Sequence, residues 1–306
     1  MKAHQALVRD ILIQSCVRVL PHEILAGFIL QFHHLYKAKH EGVMMLEHPC
    51  FEERAHSTFG RIHLPVAEHC TIQCRYCLRE VGLSYHTYRP AVTREIMVPE
   101  KAVAHVSFHM DDRLRVVGIA GPGEPLCNEA TFETLSLVGS KFPHLILCVA
   151  TNGLLLHEKA PILKSMGVQT VTVTMNTANP ETVPKLYAHI QGKMNRKVAE
   201  TFIEKQLQGI ETCANMGMVI KVNSILIPEI NINELEEVAL HSRKRGASMQ
   251  NITPLIPLAE FSGLRAPTCA EIQDVRSRCE RILPQFRLCK QCRADAVGIP
   301  GKGDTF

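Results

Sequence analysis

Three cysteines stand at short, unequal intervals in the segment Cys70-Thr-Ile-Gln-Cys74-Arg-Tyr-Cys77. Three thiolates on one loop can bind three irons of a [4Fe–4S] cluster and leave the fourth iron open to an outside ligand, and an open iron is a reactive one. Zinc is the other chemistry such a loop supports. Structural zinc takes four protein ligands, however, and near this loop only His69 is at hand as a fourth. Cys289 and Cys292 form a second pair at ligand spacing, readable as half a zinc site or a dithiol pair. Twelve cysteines in a 306-residue chain with no Trp and 5% aromatics call for a chemical explanation, because a chain of this length buries an ordinary core without covalent staples.

The elements that must position these residues follow from periodicity. From about Arg61 onward, short β-branched runs alternate with amphipathic stretches. The runs predict strands over Arg61–Ala67, Val116–Ala120, Leu145–Thr151, Thr170–Met175, Val219–Leu226 and Met249–Pro257. The stretches Pro99–Met110, Glu129–Lys141, Leu155–Met166, Lys197–Met216 and Asn233–Arg245 carry apolar residues at helical spacing. Strands separated by helices of this length run parallel with right-handed crossovers. Six such units fall two short of a closed eight-fold barrel, so an α/β fold with a partial, open (βα)6 TIM-like barrel is expected, its chemistry at the C-terminal strand ends. Three regions are read: a helical extension over residues 1–47, the barrel over 48–265, and a C-terminal helix and tail over 266–306. Thr268 and Glu271 form a capping box that opens that last helix, which is expected to run to about Leu283. His33, His34 and Cys16 in the first region read as solvated or packed groups.

Composition narrows the setting. With 34 basic and 30 acidic residues the formal charge is +4, too near neutral to argue for a nucleic-acid partner. Lys2, Arg9, Asp10 and Arg18 interrupt the first twenty residues before a signal-peptide core forms. No uncharged apolar run approaches the roughly 20 residues that span a bilayer. A soluble, cytoplasmic protein with no membrane partner is expected, and there clustered thiols read as metal or redox ligands rather than disulfides.

A CxxxCxxC loop after the first strand of a (βα)6 pattern, with the aromatic Tyr76 before the last cysteine, resembles the radical S-adenosylmethionine (SAM) superfamily. The resemblance implies that Cys70, Cys74 and Cys77 hold a [4Fe–4S] cluster whose open iron chelates the amino and carboxylate groups of SAM. One electron then cleaves SAM to methionine and a 5′-deoxyadenosyl radical. Further motifs sit where the family has them. Gly121-Pro-Gly123-Glu124-Pro follows the second strand, where the glycines would let backbone approach the cofactor and Glu124 would take the methionine ammonium. Thr151-Asn152-Gly follows the third, with side chains suited to the carboxylate or ribose. Tyr76, Asn176 and Asn223 are further expected cofactor contacts, and Arg89 an expected catalytic residue.

Several segments are more specific. His48-Pro-Cys50, the stretch from Gly118 to Leu126, Lys221-Val-Asn-Ser224, Asn251-Ile-Thr-Pro-Leu255, and the stretch from Cys289 to Gly298 resemble the NifB family of nitrogenase cofactor biosynthesis proteins, in its stand-alone form without a C-terminal carrier domain. That resemblance implies two auxiliary [4Fe–4S] clusters that are substrates, one on His48, Cys50 and Cys148, the other on Cys289 and Cys292. Two or three ligands per cubane suit a cluster that must leave. The implied reaction is radical carbide insertion. One SAM methylates a cluster sulfide, a second yields the radical that removes hydrogen from that methyl, and two clusters fuse with an added sulfur into an [8Fe–9S–C] precursor. Implied partners are cluster-delivery and cofactor-carrier or scaffold proteins and an electron donor such as a ferredoxin or flavodoxin.

The chain departs from the family pattern in one place of chemical weight. Where the family has Glu-x-Arg-Pro, this chain has Thr87-Tyr-Arg89-Pro90, and Thr71 stands where an Asn often follows the first motif cysteine. A hydroxyl cannot serve as a base near neutral pH, so either a neighbour such as Glu80 or His86 replaces the carboxylate, or the activity is reduced or altered. Cys213, Cys269 and Cys279, like Cys16, read as buried small hydrophobes, and Cys127 is open. Two alternatives stand beside the main reading: a radical SAM enzyme that uses auxiliary clusters while modifying a peptide or small molecule, and an iron–sulfur carrier or scaffold.

Overall fold

Placement is described for residues 47–82 and 87–305 of a computed structural model. The expected N-terminal helical region, with Cys16, His33 and His34, lies outside the described residues up to Leu46, and so does His86. In chain order the strands are β1 (Gly60–His63), β2 (Ile72–Cys74), β3 (Glu80–Val81), β4 (Val92–Thr93), β5 (Leu114–Ile119), β6 (Ile146–Thr151), β7 (Val168–Thr174), β8 (Tyr187–Ile190), β9 (Val219–Leu226), β10 (Met249–Pro254), β11 (Val297–Ile299) and β12 (Gly303–Thr305).

One sheet has the order β10-β9-β7-β6-β5-β1-β11-β12. From β10 to β1 every neighbouring pair is parallel. Helices Pro99–Phe108, Glu129–Lys141, Leu156–Ser165, Arg196–Asn215 and Leu235–Lys244 stand between the successive parallel strands. This is a curled, partial (βα)6 TIM-like barrel. Its strands are apolar on both faces, with Val116, Val117, Ile119, Val171, Val173, Ile220 and Val222 buried, as a parallel sheet covered by helices demands. The helix Arg196–Asn215 shows how the cover forms. Asn195 caps it by accepting from the Val198 N–H at 2.9 Å, and Ala199, Phe202, Ile203, Leu207, Ile210 and Cys213 recur at three- and four-residue spacing on its buried side.

The six expected strands and five expected connecting helices are present, with shifts of a few residues at their ends. β1 stops at His63 rather than Ala67, where Pro65 has no N–H to continue a ladder. The capping box at Thr268 and Glu271 opens a helix as expected, and the helix ends at Glu280. The tail behind it differs from the expected appendage. β11 pairs antiparallel with β1, Arg61 opposite Gly298, and so covers the edge the open barrel would otherwise expose. Cys213 and Cys279 are buried, as expected, but Cys269 is exposed, because it is the first residue of its helix and lies away from the side that Val275 and Cys279 bury.

Candidate functional site

Residues two apart on a strand share a face. Arg61 and His63 of β1, Cys148 and Ala150 of β6, and Lys221 and Asn223 of β9 therefore point together, and all border one cavity of about 330 Å³. The connections after β1, β5 and β6 complete its wall with the cysteine loop, Glu124 and Asn152. The three loop cysteines, the pair His48 and Cys50, Cys148, and the pair Cys289 and Cys292 all line this same space.

The cysteine loop is fixed by pairing. β2 lies antiparallel to β8, with Cys74 opposite Tyr187, and the Gln73 side chain donates to the carbonyls of Cys74 and Cys77 at 3.0 and 3.3 Å. Burial raises all three thiol pKa values, and the thiols raise one another's: Cys74 is affected by Cys77 and Cys70, and Cys77 by Cys70. Three mutually repelling buried thiols ionise only with a compensating positive centre, which iron supplies. Among the described residues no three His, Cys, Asp or Glu side chains converge closely enough for a single metal ion. Behind the loop, Asn176 donates to the hydroxyls of Tyr76 and Tyr187 at 2.8 and 3.2 Å and accepts from Ile225 N–H at 2.8 Å. Asn176 is thus engaged with protein and stands off the cavity wall, whereas Tyr76 lines it. Asn223 lines it too and accepts from Asn251 at 2.9 Å.

The Gly121–Pro125 turn serves the loop. Gly123 N–H donates to the Ala67 carbonyl and Glu124 N–H to that of His69, both at 2.7 Å. A Cβ on Gly123 would lie 2.2 Å from the His69 carbonyl oxygen, so this glycine answers to the approach of the cysteine-loop backbone. Gly121 has φ +125°, a left-handed conformation that suits glycine. Glu124 is 3% exposed. Its carboxylate accepts from Thr151 hydroxyl at 2.5 Å, Asn152 N–H at 2.7 Å and Leu126 N–H at 3.1 Å. Burial outweighs these bonds and pushes its pKa up to about 7. Cys127 is directed at the carbonyls of His69 and Glu124, at 3.4 and 3.3 Å, and does not line the cavity, which makes it a residue of the turn.

His48 is 2% exposed and neutral, since burial and then Lys221 hold its pKa well below the ordinary value. Its Nδ1 accepts from Cys50 N–H at 3.1 Å, and among the described residues its Nε2 has no protein partner. A buried imidazole nitrogen without a protein partner, on the wall of a cavity, fits a ligand for iron. Burial pushes Cys50 up to about 12 against the pull of Lys221, and raises Cys148. Arg61, fully buried, donates to Cys292 Sγ at 2.9 Å and to the Gly298 carbonyl at 3.0 Å. The Cys289–Cys292 turn is held by the bidentate pair of Arg293 and Asp295, at 2.7 and 2.9 Å. Arg61, Lys221, Arg293 and Asp295 were not singled out from the sequence as site residues. The available signal was a charge at a strand position flanked by apolar residues, as in Val219-Ile-Lys221-Val.

Residues 64–241 match the radical SAM superfamily. The FeMo cofactor biosynthesis protein NifB of Methanocaldococcus infernus is 44% identical over 275 residues, covering 88% of each chain. The chain belongs to the radical SAM superfamily and, within it, to the NifB family. The NifB of Klebsiella pneumoniae is 40% identical over 83% of this chain, which spans 57% of that longer protein. Solved structures share the fold: HydG, a maturase of the [FeFe]-hydrogenase, at 12% identity with a TM-score of 0.52, covering 74% of this chain and 50% of that one, and methylornithine synthase at 11% and 0.51, covering 76% and 65%. The protein is a radical SAM enzyme. No helix among the described residues is long and apolar enough to cross a membrane.

Arg89, expected to be catalytic, is buried. It forms an ion pair with Glu80, donates to the Leu78 carbonyl at 2.6 Å and does not line the cavity. Glu80 is thereby tied to Arg89 and is likewise off the wall, and the Thr87 carbonyl accepts from Arg293 at 2.8 Å.

Proposed function

We propose that this enzyme assembles the [8Fe–9S–C] precursor of the nitrogenase cofactor, fusing two [4Fe–4S] substrate clusters with insertion of a carbide and addition of a sulfur. The observation that carries the proposal is the meeting of three cysteine-bearing ligand sets on one cavity, with the Nε2 of His48 left for a non-protein partner. The cysteine loop would hold the resident [4Fe–4S] cluster, which with SAM supplies a 5′-deoxyadenosyl radical by one-electron cleavage.

The chain's own residues have definable tasks around that chemistry. Glu124, with a pKa near neutrality, takes the methionine ammonium and ionises as it does so. Thr151 and Asn152 keep its carboxylate in place through their hydrogen bonds. Asn176 keeps Tyr76 against the loop. Neutral His48 with Cys50 and Cys148 receives one substrate cluster, and Cys289 with Cys292 the other. Few protein ligands per cluster leave irons free to bridge. The lining offers a single carboxylate, Glu124, among the described residues, so proton transfer from a methyl group has few candidate acceptors in the wall.

Anaerobically reconstituted protein should hold about three cubanes of iron and turn SAM over to both 5′-deoxyadenosine and S-adenosylhomocysteine. Deoxyadenosine alone, with clusters that stay bound through turnover, points instead to a radical SAM enzyme acting on a peptide or small molecule. Cys74→Ala should abolish turnover, and retention of cluster delivery in that variant would indicate a carrier.

A further inference from the structure

β9 carries a charged side chain among apolar neighbours. Lys221 stands between Ile220 and Val222, both fully buried, and is itself 4% exposed. Its ammonium donates to the Cys50 carbonyl at 2.7 Å and lies over the rings of Phe51 and Phe286, at 4.4 and 5.3 Å from their centroids. Among the described residues no carboxylate forms an ion pair with it. Its strand neighbours across the sheet are Thr172 of β7 and Met249 of β10, neither of them acidic, and the carboxylate on the cavity wall, Glu124, is engaged by Thr151, Asn152 and Leu126. A desolvated ammonium loses several kcal/mol of hydration, which one carbonyl and two ring faces recover only in part. A methionine would pack the same space without that cost, so the lysine points to a negatively charged occupant of the cavity.

The ligand set beside it shows when that occupant becomes negative. In its oxidised form a cubane core carries two positive charges. Two thiolates, from Cys50 and Cys148, cancel them, and neutral His48 adds nothing. One electron from the external donor then leaves the assembly with a single negative charge, with no bond made or broken and no proton moved. We propose that Lys221 is a positioning residue whose fixed charge balances that electron, selectively favouring the reduced state of the cluster held by His48, Cys50 and Cys148. The inference rests on the reading of these three residues as a cluster site.

The test is a reductive titration of the anaerobically reconstituted full chain, followed by the paramagnetic signals of its reduced clusters. The signal lost in Cys50→Ser identifies the cluster in question, and that lost in Cys289→Ser identifies the other auxiliary one. In Lys221→Met the ratio of reduced to oxidised first cluster should fall about tenfold at the potential where half of it is reduced in the native chain, the order expected for removing one buried neighbouring charge. The Cys289–Cys292 cluster should shift far less, and Lys221→Arg should restore the native value. An unchanged potential in Lys221→Met with full iron overturns the inference. So does loss of that cluster in both the Met and Arg variants, which would make Lys221 a packing residue. Native protein holding only one cubane of iron overturns the cluster reading itself and this inference with it.

Discussion

Replacing Asp295 by Asn removes the negative half of the most deeply buried ion pair described in the protein, with Arg293 1% and Asp295 5% exposed. The two side chains meet in a bidentate fork at 2.7 and 2.9 Å, and Asp295 also accepts from Arg94 N–H at 2.8 Å. Beside it, Ala294 N–H donates to the Val92 carbonyl at 2.9 Å, so the pair sits where the cysteine tail is tied to β4. Removing one partner of such a pair costs about 3 kcal/mol, chiefly because the other charge stays buried. In a protein of this size that lowers the melting temperature by about 6 °C. Burial alone would raise the Asp295 pKa, but the Arg293 fork and the Arg94 N–H hold it below the usual carboxylate range. The stabilisation is therefore fully present above the unfolded carboxylate value near 3.8 and lost as pH falls through the lower folded one, so the native and Asp295→Asn proteins should converge in stability at acid pH. The double variant R293M/D295L should cost less than Asp295→Asn alone, because no charge is left behind. Reconstituted Asp295→Asn should also lose the iron proposed for Cys289 and Cys292 and keep that of the Cys70–Cys77 loop. Melting within 1 °C of the native protein, with full iron content, would refute the reasoning.

Three further outcomes are expected. With a Glu124 pKa of about 7, roughly three-quarters of the chains are protonated there at pH 6.5 and about a tenth at pH 8. SAM binding should release protons from Glu124 in that proportion, measured by calorimetry in buffers of different ionisation enthalpy, and Glu124→Gln should lower the release by that amount, leaving only the proton of the SAM amine. The sign also sets a stability trend in the ligand-free protein, since the raised carboxyl costs nothing below pH 4.5 and its full penalty above 7. Gly123→Ala forces a methyl to 2.2 Å from the His69 carbonyl and 2.7 Å from that of Glu68. It should cost about 3 kcal/mol and reduce iron at the adjoining cysteine loop, and full iron content with native melting would contradict the assigned role of the turn. Thr87→Glu should raise precursor yield, because Glu80 is held by Arg89 and supplies no carboxylate to the wall; an unchanged or lower yield, scored by transfer to a nitrogenase assay, would count against a missing carboxylate.

Local pattern carried much of the fold. Alternation of β-branched runs with three- and four-residue spacing places six strands and five helices within a few residues of their ends, because burial on a parallel strand or one helix face is a short-range property of the chain. The short strand Val297–Ile299 escaped this reading. Three residues carry no period, and its pairing with β1 depends on a partner more than two hundred residues away. In the cysteine loop, ligand type and spacing are themselves the signal; Cys289 and Cys292 stand out as a pair at ligand spacing, whereas the segment around His48 is readable only through its resemblance to the NifB family.

What the sequence determined by itself is the inventory: which thiols and imidazole are available, and the βα alternation that delivers several of them to the same end of a sheet. Only the tertiary structure decided their division of labour. It gathered Cys50, Cys148, Cys289 and Cys292 around one cavity, moved Asn176, Arg89 and Cys127 off its wall, and showed that Gly123 answers to the backbone of residues 68 and 69. It also placed Arg61 and Lys221 inside, against the Cys292 sulfur and the Cys50 carbonyl. The physical reason is that burial and charge compensation depend on what stands opposite, and the strand that faces Lys221 or Arg61 is set by the curl of the sheet rather than by neighbours in the chain.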